Sequence, residues 1–208
     1  MRQRRAKQYR RLLQNYTLHF GFRAPFQLLL DDALVLHLAK ENAPSPPLSR
    51  LASVLQQPAD ASHVKLMISQ CAMVALYNAE QAAKEQVKTV TAAAAAKERD
   101  GGTSLSSGSV DAARKALELV QRAIALAKDF ERRRCNHREA VAPETCLAEC
   151  IGAPTNRHRY ILGTARLELR TGVGHQTVAL PVVHPNKTGV LVLAPVNEPT
   201  QAKVDEVS

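Results

Sequence analysis

The sequence contains no tryptophan, and aromatic residues make up only 4% of its 208 residues. Hydrophobic residues still account for 45% of the chain, so the core must be built from aliphatic side chains. No apolar run reaches the ~18 residues of a membrane span, and no apolar segment follows Met1. We therefore expect neither a membrane protein nor a secretory signal.

Acidic residues are absent from residues 1–30, although this segment holds seven lysines and arginines. The formal net charge is +9, so the rest of the chain carries only about +2. Basicity concentrated in this way is expected of a segment that lies along phosphates. A mitochondrial transit peptide is an alternative, but here the arginines are bunched and serine is absent. The candidate RNA contacts are Arg2, Arg4, Arg5, Lys7, Arg10 and Arg11.

Short apolar runs alternate with segments of helical periodicity along the chain. This alternation predicts a parallel sheet with helices on both faces. The Ala-rich and Gly/Ser-rich stretch 80–109 predicts an insertion that is helical at first and mobile at its tip. Residues from 198 onwards are predicted to form a polar, frayed tail. The predicted strands are 27–30, 64–68, 160–163, 178–183 and 190–193, and the predicted helices are 1–20, 33–39, 48–55, 70–77, 110–130, 144–151 and 164–170.

Four cysteines without a secretory signal indicate reduced thiols that are available for a metal. Cys135 and His137 lie two residues apart and Cys146 follows after a loop, which is a spacing typical of zinc ligands. The fourth ligand is either Cys150, one helical turn after Cys146, or the distant Cys71. Reduced core cysteines beside a surface histidine are the alternative to a Zn²⁺ site.

Three arginines directly precede this motif, and a fourth candidate lies after it. A run of charge is usually a solvated face, and the same holds for the basic start of the chain. A bound metal would hold the run rigid, however, and this favours a phosphate clamp. The residues concerned are Arg132, Arg133, Arg134 and Arg159.

Several motifs together resemble those of a known family. They are 1–7 with Tyr9-Arg10, 20–27, Leu30-Asp31-Asp32, 67–71, 75–77, the string Phe-Glu-Arg-Arg-Arg-Cys-Asn-His at 130–137, and 158–160. The chain resembles the PIN-domain ribosomal-RNA-processing proteins of the small-subunit processome, and within them the U-three-protein twenty-three branch. The resemblance implies a PIN-like three-layer α/β/α sandwich with a central, mainly parallel sheet. It also implies an integral zinc knuckle with Cys71 as the fourth ligand.

The resemblance further implies how the chain is divided and where it acts. Residues 1–26 would form a basic helical arm, 27–197 the PIN-like domain, and 198–208 a polar tail. The implied partners are small nucleolar RNA, pre-ribosomal RNA and other processome proteins, in the nucleus and nucleolus. No oligomer is expected.

PIN nucleases gather three or four carboxylates at the C-terminal ends of parallel strands, where these hold Mg²⁺ or Mn²⁺. Asp31 matches the first of these acids. The other expected positions hold Ala75, Thr145 and Arg166, with Glu168 as a plausible substitute. The resemblance therefore implies a degenerate nuclease site with vestigial Asp31 and Glu168, in which Arg166 could bind phosphate.

Three functional hypotheses follow from the sequence. The first is a non-catalytic RNA-binding assembly factor of the small-subunit processome that acts in early pre-ribosomal RNA processing. The second is a metal-dependent PIN endoribonuclease. The third is a protein-docking scaffold that recruits assembly factors through the insertion and the tail.

Overall fold

A computed structural model describes residues 2–40, 45–99 and 107–206. The Gly-rich tip of the predicted insertion, 100–106, and the last two residues lie outside this range. The helices are α1 (Arg2–Phe20), α2 (Asp32–Lys40), α3 (Pro47–Val54), α4 (Gln70–Arg99), α5 (Ser107–Lys128), α6 (Pro143–Ile151), α7 (Leu167–Thr171), α8 (Val173–Gln176) and α9 (Glu198–Asp205). The strands are β1 (Phe26–Leu30), β2 (Val64–Ser69), β3 (Glu131–Arg133), β4 (Tyr160–Gly163), β5 (Val182–Pro185) and β6 (Leu191–Leu193).

These strands form one sheet in the order β3-β2-β1-β4-β5-β6. Neighbouring strands from β3 to β5 pair in parallel, whereas β6 runs antiparallel to β5. The parallel strands therefore all end at the same edge of the sheet. This confirms the predicted α/β class with a mainly parallel sheet.

Side chains that alternate along β1 enter two different cores. Leu28 and Leu30 belong to a large cluster that includes residues of α1 to α5, whereas Leu29 packs in a second cluster with α6. All three leucines are fully buried. Helices on both faces explain why this strand is a continuous apolar run instead of an alternating one.

The basic N-terminal segment is a helix that packs against the body of the protein. Its apolar face is buried, and the Tyr16 ring lies 5.4 Å from the ring of Phe22. Each buried side chain of this size contributes roughly 1.5–3 kcal/mol, so α1 is integral to the fold. The side chain of Arg2 lies outside the described part of the chain. The buried face consists of Tyr9, Leu12, Leu13 and Tyr16, and the exposed cations are Arg4, Arg5, Lys7, Arg10 and Arg11.

Two segments differ most from the prediction. Residues 131–133 form the edge strand β3, which the sequence conceals because all three side chains are charged. The predicted frayed tail is wrong for 198–205, which form α9. The side chain of Asn197 accepts a hydrogen bond from the Thr200 backbone N–H and so caps this helix, and Val204 is buried beneath it.

The helices α4 and α5 form a long hairpin. At about 1.5 Å per residue, the 30 residues of α4 extend about 45 Å. Ala83, Val110 and Ala113 are buried in the hairpin. Residues 80–99 are helical, whereas the division of the chain into arm, domain, insertion and tail stays a prediction. Among the described helices, none is long and apolar enough to cross a membrane.

Candidate metal centre and carboxylate site

Two polar clusters lie where the parallel strands end. Asp31 directly follows β1 and Thr164 directly follows β4, and these residues belong to the carboxylate cluster. Cys71 lies two residues after β2 and Cys135 two residues after β3, and these belong to the metal cluster. Residues far apart in sequence meet because parallel strands end at one edge.

The metal cluster consists of Cys71, Cys135, His137 and Cys146, whose ligand atoms all lie within 4.8 Å of one another. The Sγ atom of Cys71 is 3.6 Å from that of Cys135 and 3.3 Å from Nδ1 of His137. Ligands placed at zinc's preferred bond lengths, at the corners of a tetrahedron, would be roughly 3.4–3.8 Å apart. The spacing of these donors therefore fits a single ion.

A left-handed turn brings two of the donors together. Asn136 has a φ of 57°, a conformation that asparagine tolerates better than most residues. The residues on either side of it, Cys135 and His137, both reach Cys71 as a result. Cys71 itself is fixed at the start of α4, where the Ser69 hydroxyl accepts a hydrogen bond of 3.2 Å from the Ala72 N–H.

A carboxylate orients the histidine of the metal cluster. Nε2 of His137 lies 2.6 Å from Oε2 of Glu149, which leaves Nδ1 to face Cys71. This bond to Glu149 is the main cause that raises the pKa of His137 to about 9. Metal-ligating histidines are commonly held by a carboxylate in this way. Glu149 was not predicted from the sequence, although it lies three residues after Cys146 on the same side of α6.

The thiols of the cluster differ in pKa. Burial raises the pKa of Cys71 to about 11, and the hydrogen bond to Cys150, together with burial, raises that of Cys146. Burial acts in the same direction on Cys135, but hydrogen bonds from Cys71 and His137 outweigh it and lower the pKa to about 6. A bound cation must displace the remaining thiol protons, so its affinity should rise with pH.

Cys150 lies beside the cluster but is not one of the four residues. Its Sγ atom is 4.0 Å from Sγ of Cys146, and its side chain is buried among the residues of the second core. The geometry thus groups Cys71 rather than Cys150 with the other three donors. Which of them ligates an ion stays a prediction.

The carboxylate cluster surrounds a single guanidinium. Arg166 donates from Nη2 to Oδ2 of Asp32 at 2.6 Å and from Nη1 to Oε1 of Glu144 at 2.5 Å. Its Nε atom lies 3.9 Å from Oδ2 of Asp31. One internal cation is therefore shared among three carboxylates. Arg166, which the sequence suggested as a phosphate ligand, is thus already ion-paired within the protein.

Asp31 is fully buried and makes structural hydrogen bonds. One carboxylate oxygen accepts from the Leu34 N–H at 2.6 Å, in the first turn of α2, and the other accepts from the Thr164 hydroxyl. Burial is the largest influence on Asp31 and raises its pKa from 3.8 to about 6, while the bonds from Thr164 and Leu34 oppose it. Asp31 thereby ties α2 to the end of β4.

The other predicted nuclease positions do not supply this cluster. Ala75 is half-buried on α4, Thr145 is exposed on α6, and Glu168 is exposed in the first turn of α7. Glu144, the neighbour of Thr145, points to Arg166 instead. Asp32 and Glu144 were not predicted as site residues, because nothing local in the sequence indicates that both pair with the same arginine.

Three of the arginines predicted to bind RNA make hydrogen bonds to backbone carbonyls. Arg132 donates to the Ala127 carbonyl at 2.8 Å, near the end of α5. Arg159 donates to the Phe20 carbonyl at 2.9 Å, at the end of α1. Each therefore interacts favourably with the negative end of a helix. Arg133 bonds to the carbonyl of Arg134, and its guanidinium lies 6.0 Å from the centre of the Tyr160 ring. Their role in RNA binding stays a prediction.

Comparisons with known proteins agree with this fold. The family model for Fcf1 matches residues 105–194. The rRNA-processing protein utp23 of Schizosaccharomyces pombe is 29% identical over 202 residues, which covers 96% of this chain. The chain spans about 60% of the length of that curated relative.

The mainly parallel sheet and the Fcf1 match together define a PIN-like α/β protein. Within that class, the chain is similar to the Fcf1 family over residues 105–194 and to the rRNA-processing protein utp23 over most of its length. The resemblance inferred from scattered motifs is thereby confirmed.

Proposed function

We propose that the protein is a non-catalytic RNA-binding assembly factor that acts in ribosomal RNA processing and ribosome biogenesis. Its similarity to an rRNA-processing protein extends over 96% of the chain, which supports this general role. The finer assignments rest on the family resemblance. They are the small-subunit processome, pre-ribosomal RNA and small nucleolar RNA as partners, other processome proteins, and residence in the nucleus and nucleolus.

The pairing of Arg166 carries the non-catalytic part of this proposal. A PIN nuclease needs carboxylates that are available to a divalent cation. Here the guanidinium pairs with Asp32 and Glu144 and lies near Asp31. A metal ion at this position would be repelled by the guanidinium and would compete with it for the same oxygens.

The metal cluster supports a structural ion, and we assign zinc. Three thiols and one imidazole are ligands that Zn²⁺ prefers, and four protein ligands complete its tetrahedral shell. An ion with a closed shell has no position for a substrate. It would instead fasten the loop after β3 to α4 and α6, and it would hold Arg132, Arg133 and Arg134 on a rigid support.

The exposed cations of α1 support RNA binding. Arg4, Arg5, Lys7, Arg10 and Arg11 are exposed, and none takes part in the ion pairs found in residues 2–40, 45–99 and 107–206. These side chains therefore keep their charge available for phosphate. Because α1 packs on the core, they are presented from a fixed helix.

Incubation with single-stranded RNA and Mn²⁺ tests the non-catalytic assignment. We expect no cleavage by the parent protein or by the Asp31→Asn variant. Cleavage by the parent that disappears in Asp31→Asn would favour the endoribonuclease instead.

Titration with RNA at several salt concentrations tests the binding assignment. The triple variant Arg4→Ala, Arg5→Ala, Lys7→Ala removes three charges without touching the buried face of α1. We expect weaker binding and a salt slope reduced by up to about 2, since each lost phosphate contact on a single strand contributes about 0.7. Removing Arg114, Lys115 and Arg122, which are exposed on α5, is the matched control. Equal RNA affinity and salt slope in the two triple variants would contradict a role of α1 in RNA binding. A parent protein that does not bind RNA but binds processome proteins would favour the docking scaffold.

A further inference from the structure

The chain contains one cysteine more than the metal cluster uses. All four cysteines are free thiols, and three of them belong to the cluster. The fourth, Cys150, is buried in the second core, and its Sγ atom lies 4.0 Å from Sγ of Cys146. A thiol that the ion does not need therefore lies next to one of the predicted zinc ligands.

Both of these cysteines lie on α6, one helical turn apart. Helix geometry places their Cα atoms about 6 Å apart, within the roughly 4.4–6.8 Å that disulfides span. The Cβ atoms of such a pair are ~5–6 Å apart, which exceeds the ~3.5–4.5 Å across a disulfide. A bond between the two sulfurs therefore requires the last turn of α6 to deform. Cys150 is the second-last residue of this helix, which ends at Ile151, and helix ends fray most readily.

Another pair of thiols lies even closer together, but both of its members belong to the metal cluster. The Sγ atoms of Cys71 and Cys135 are 3.6 Å apart. A disulfide within the cluster would take two ligands from the ion at once. A disulfide between Cys146 and Cys150 takes only one, because Cys150 is outside the cluster. While an ion is bound, the pair on α6 is therefore the one that oxidises most readily.

The last turn of α6 also contains the carboxylate that orients His137. Glu149 directly precedes Cys150, and its Oε2 atom lies 2.6 Å from Nε2 of the imidazole. A deformation that draws Cys150 towards Cys146 would therefore also disturb the bond between Glu149 and His137. Loss of such a carboxylate typically lowers metal affinity about 10- to 100-fold. Oxidation of one pair of thiols would thus weaken two of the four ligands.

We propose that Cys146 and Cys150 form an oxidation site at which a peroxide releases the metal ion. This inference rests on the zinc assignment proposed above and adds a way in which that site is regulated. Cys150 is 5% exposed, so the oxidant must be small and uncharged, as hydrogen peroxide is. A disulfide strained by the geometry of a helix is easily reduced, so the release is reversible.

The reaction transfers two electrons from the two sulfurs to one molecule of peroxide. The Cys150 sulfur attacks one peroxide oxygen, the O–O bond breaks, and the departing hydroxide takes the thiol proton and becomes water. The resulting sulfenic acid is then attacked by the sulfur of Cys146, which gives up its bond to the ion. The S–S bond forms, the S–O bond breaks, and the second hydroxide takes a proton from solvent. Cys71, Cys135 and His137 remain as ligands, and the ion is held less firmly.

Zinc release and mass spectrometry test this inference on the full chain. Zinc-loaded protein is treated with hydrogen peroxide, released zinc is followed with a colorimetric chelator, and free thiols are alkylated before digestion with trypsin. The two cysteines of α6 share one tryptic peptide, 139–157, whereas the other two lie on 66–84 and 135–138. We expect zinc release to coincide with the loss of two hydrogen atoms from 139–157. A thiol reductant with added zinc should restore the loaded protein.

Cys150→Ala removes the first thiol to react and keeps all four residues of the metal cluster. It should bind one zinc per chain and release it under peroxide at least about fivefold more slowly than the parent. Slower release cannot result from a destabilised fold, which would release zinc faster. Thr145→Ala is the matched control, since Thr145 is exposed on the same helix and its substitution leaves both thiols in place. This control should release zinc like the parent.

The outcomes separate this inference from the assignment on which it rests. A parent protein that binds no zinc overturns both. A parent that binds zinc and releases it at the same rate as Cys150→Ala overturns the oxidation site alone. The same holds if release is accompanied by a bond between 66–84 and 135–138 while 139–157 stays reduced, because the disulfide then lies within the metal cluster.

Discussion

The metal cluster and the carboxylate cluster lie at the same edge of one sheet but balance their charge differently. The metal cluster is a set of thiol and imidazole donors whose spacing suits a cation taken from solution. The carboxylate cluster already has its cation, the guanidinium of Arg166, which is part of the chain. Arg166 thereby joins a carboxylate at the start of α2 to one in the first turn of α6 through a cation of the chain itself.

Helix α6 contributes to both clusters. Glu144, in its first turn, pairs with Arg166, and Cys146, two residues later, belongs to the metal cluster. The two clusters are thus neighbours on one rigid element. A substitution in one cluster should therefore also change the stability of the other. The size of that change measures how independent the two clusters are.

The largest effect is expected from the metal cluster. Purified protein should contain one zinc per chain, and Cys71→Ala should lose it. Because the ion joins three segments, its loss should lower the free energy of unfolding by at least about 3 kcal/mol. Metal analysis and thermal melting with and without a chelator measure both quantities.

Cys150→Ala is the matched control for this substitution, since it removes a neighbouring buried thiol. We expect it to retain one zinc per chain. Loss of zinc in Cys150→Ala but not in Cys71→Ala would show that Cys150, and not Cys71, is the fourth zinc ligand. A parent protein with far less than one zinc per chain would contradict the claim that the metal cluster, unlike the carboxylate cluster, binds a cation from solution.

A smaller effect is expected from Arg166→Ala, which leaves Asp32 and Glu144 without their cation. Breaking a buried ion pair typically costs about 3–5 kcal/mol. The arginine is 30% exposed, so we expect a loss of about 2 kcal/mol. Arg166→Lys keeps the charge but not the two-pronged geometry, and should lie between the parent and Arg166→Ala.

The same variant tests whether Arg166 substitutes for an ion. Added Mn²⁺ should raise the melting temperature of Arg166→Ala more than that of the parent, because the freed carboxylates accept an external cation. Equal shifts in the two proteins would show that the guanidinium does not occupy the place of a metal.

Protonation of Asp31 should have a third effect on stability, one that depends on pH. Its carboxyl has a pKa of about 6 in the folded protein, against 3.8 ordinarily. As pH rises from 4 to 6, the unfolded chain has lost this proton while the folded protein still holds it, so rising pH favours unfolding. Asp31→Asn should therefore flatten the decline of stability over this range. An unchanged profile from denaturant unfolding would contradict the assignment.

The smallest effect is expected from the outer half of the α4–α5 hairpin, which reaches neither cluster. Within 88–108, the described side chains at 88–96 and 108 are mainly exposed, and replacing this segment by a short Gly/Ser linker leaves the buried Ala83, Val110 and Ala113 in place. We expect the melting temperature to change by only a few degrees, and zinc content to stay the same. A fall as large as that of Cys71→Ala would show that the hairpin supports the metal cluster.

The sequence predicted those elements whose signal is local. The leucine run before Asp31 predicted β1, and the apolar period of 110–130 predicted α5, because burial selects these residues directly. β5 begins at Val182 rather than at 178, and β3 was missed altogether. A strand of three charged residues is stabilised by its pairing with β2, and no local pattern records that partner.

The candidate site also contains residues that a local sequence pattern predicts and residues that only the tertiary structure brings together. The Cys-x-His spacing is local and predicted two donors of the metal cluster, whereas Cys71 and Cys150 were alternatives for the fourth donor until the family resemblance favoured Cys71. Asp31 and Arg166 were noted at their positions in the chain. Their meeting with Glu144 depends on where α6 packs, which is a property of the tertiary structure.

The distance between Cys71 and Cys135 has a consequence for how this protein tolerates change in length. The two sulfur atoms are 3.6 Å apart, yet 64 positions separate them in the chain, and the whole α4–α5 hairpin lies between. An ion at this point would hold the two ends of that segment together, whatever the length of the chain between them. The entropic cost of closing a loop grows only slowly with its length. A longer or shorter hairpin in a relative should therefore change the free energy of folding only slightly. The same geometry offers protein engineers a place to graft a new module.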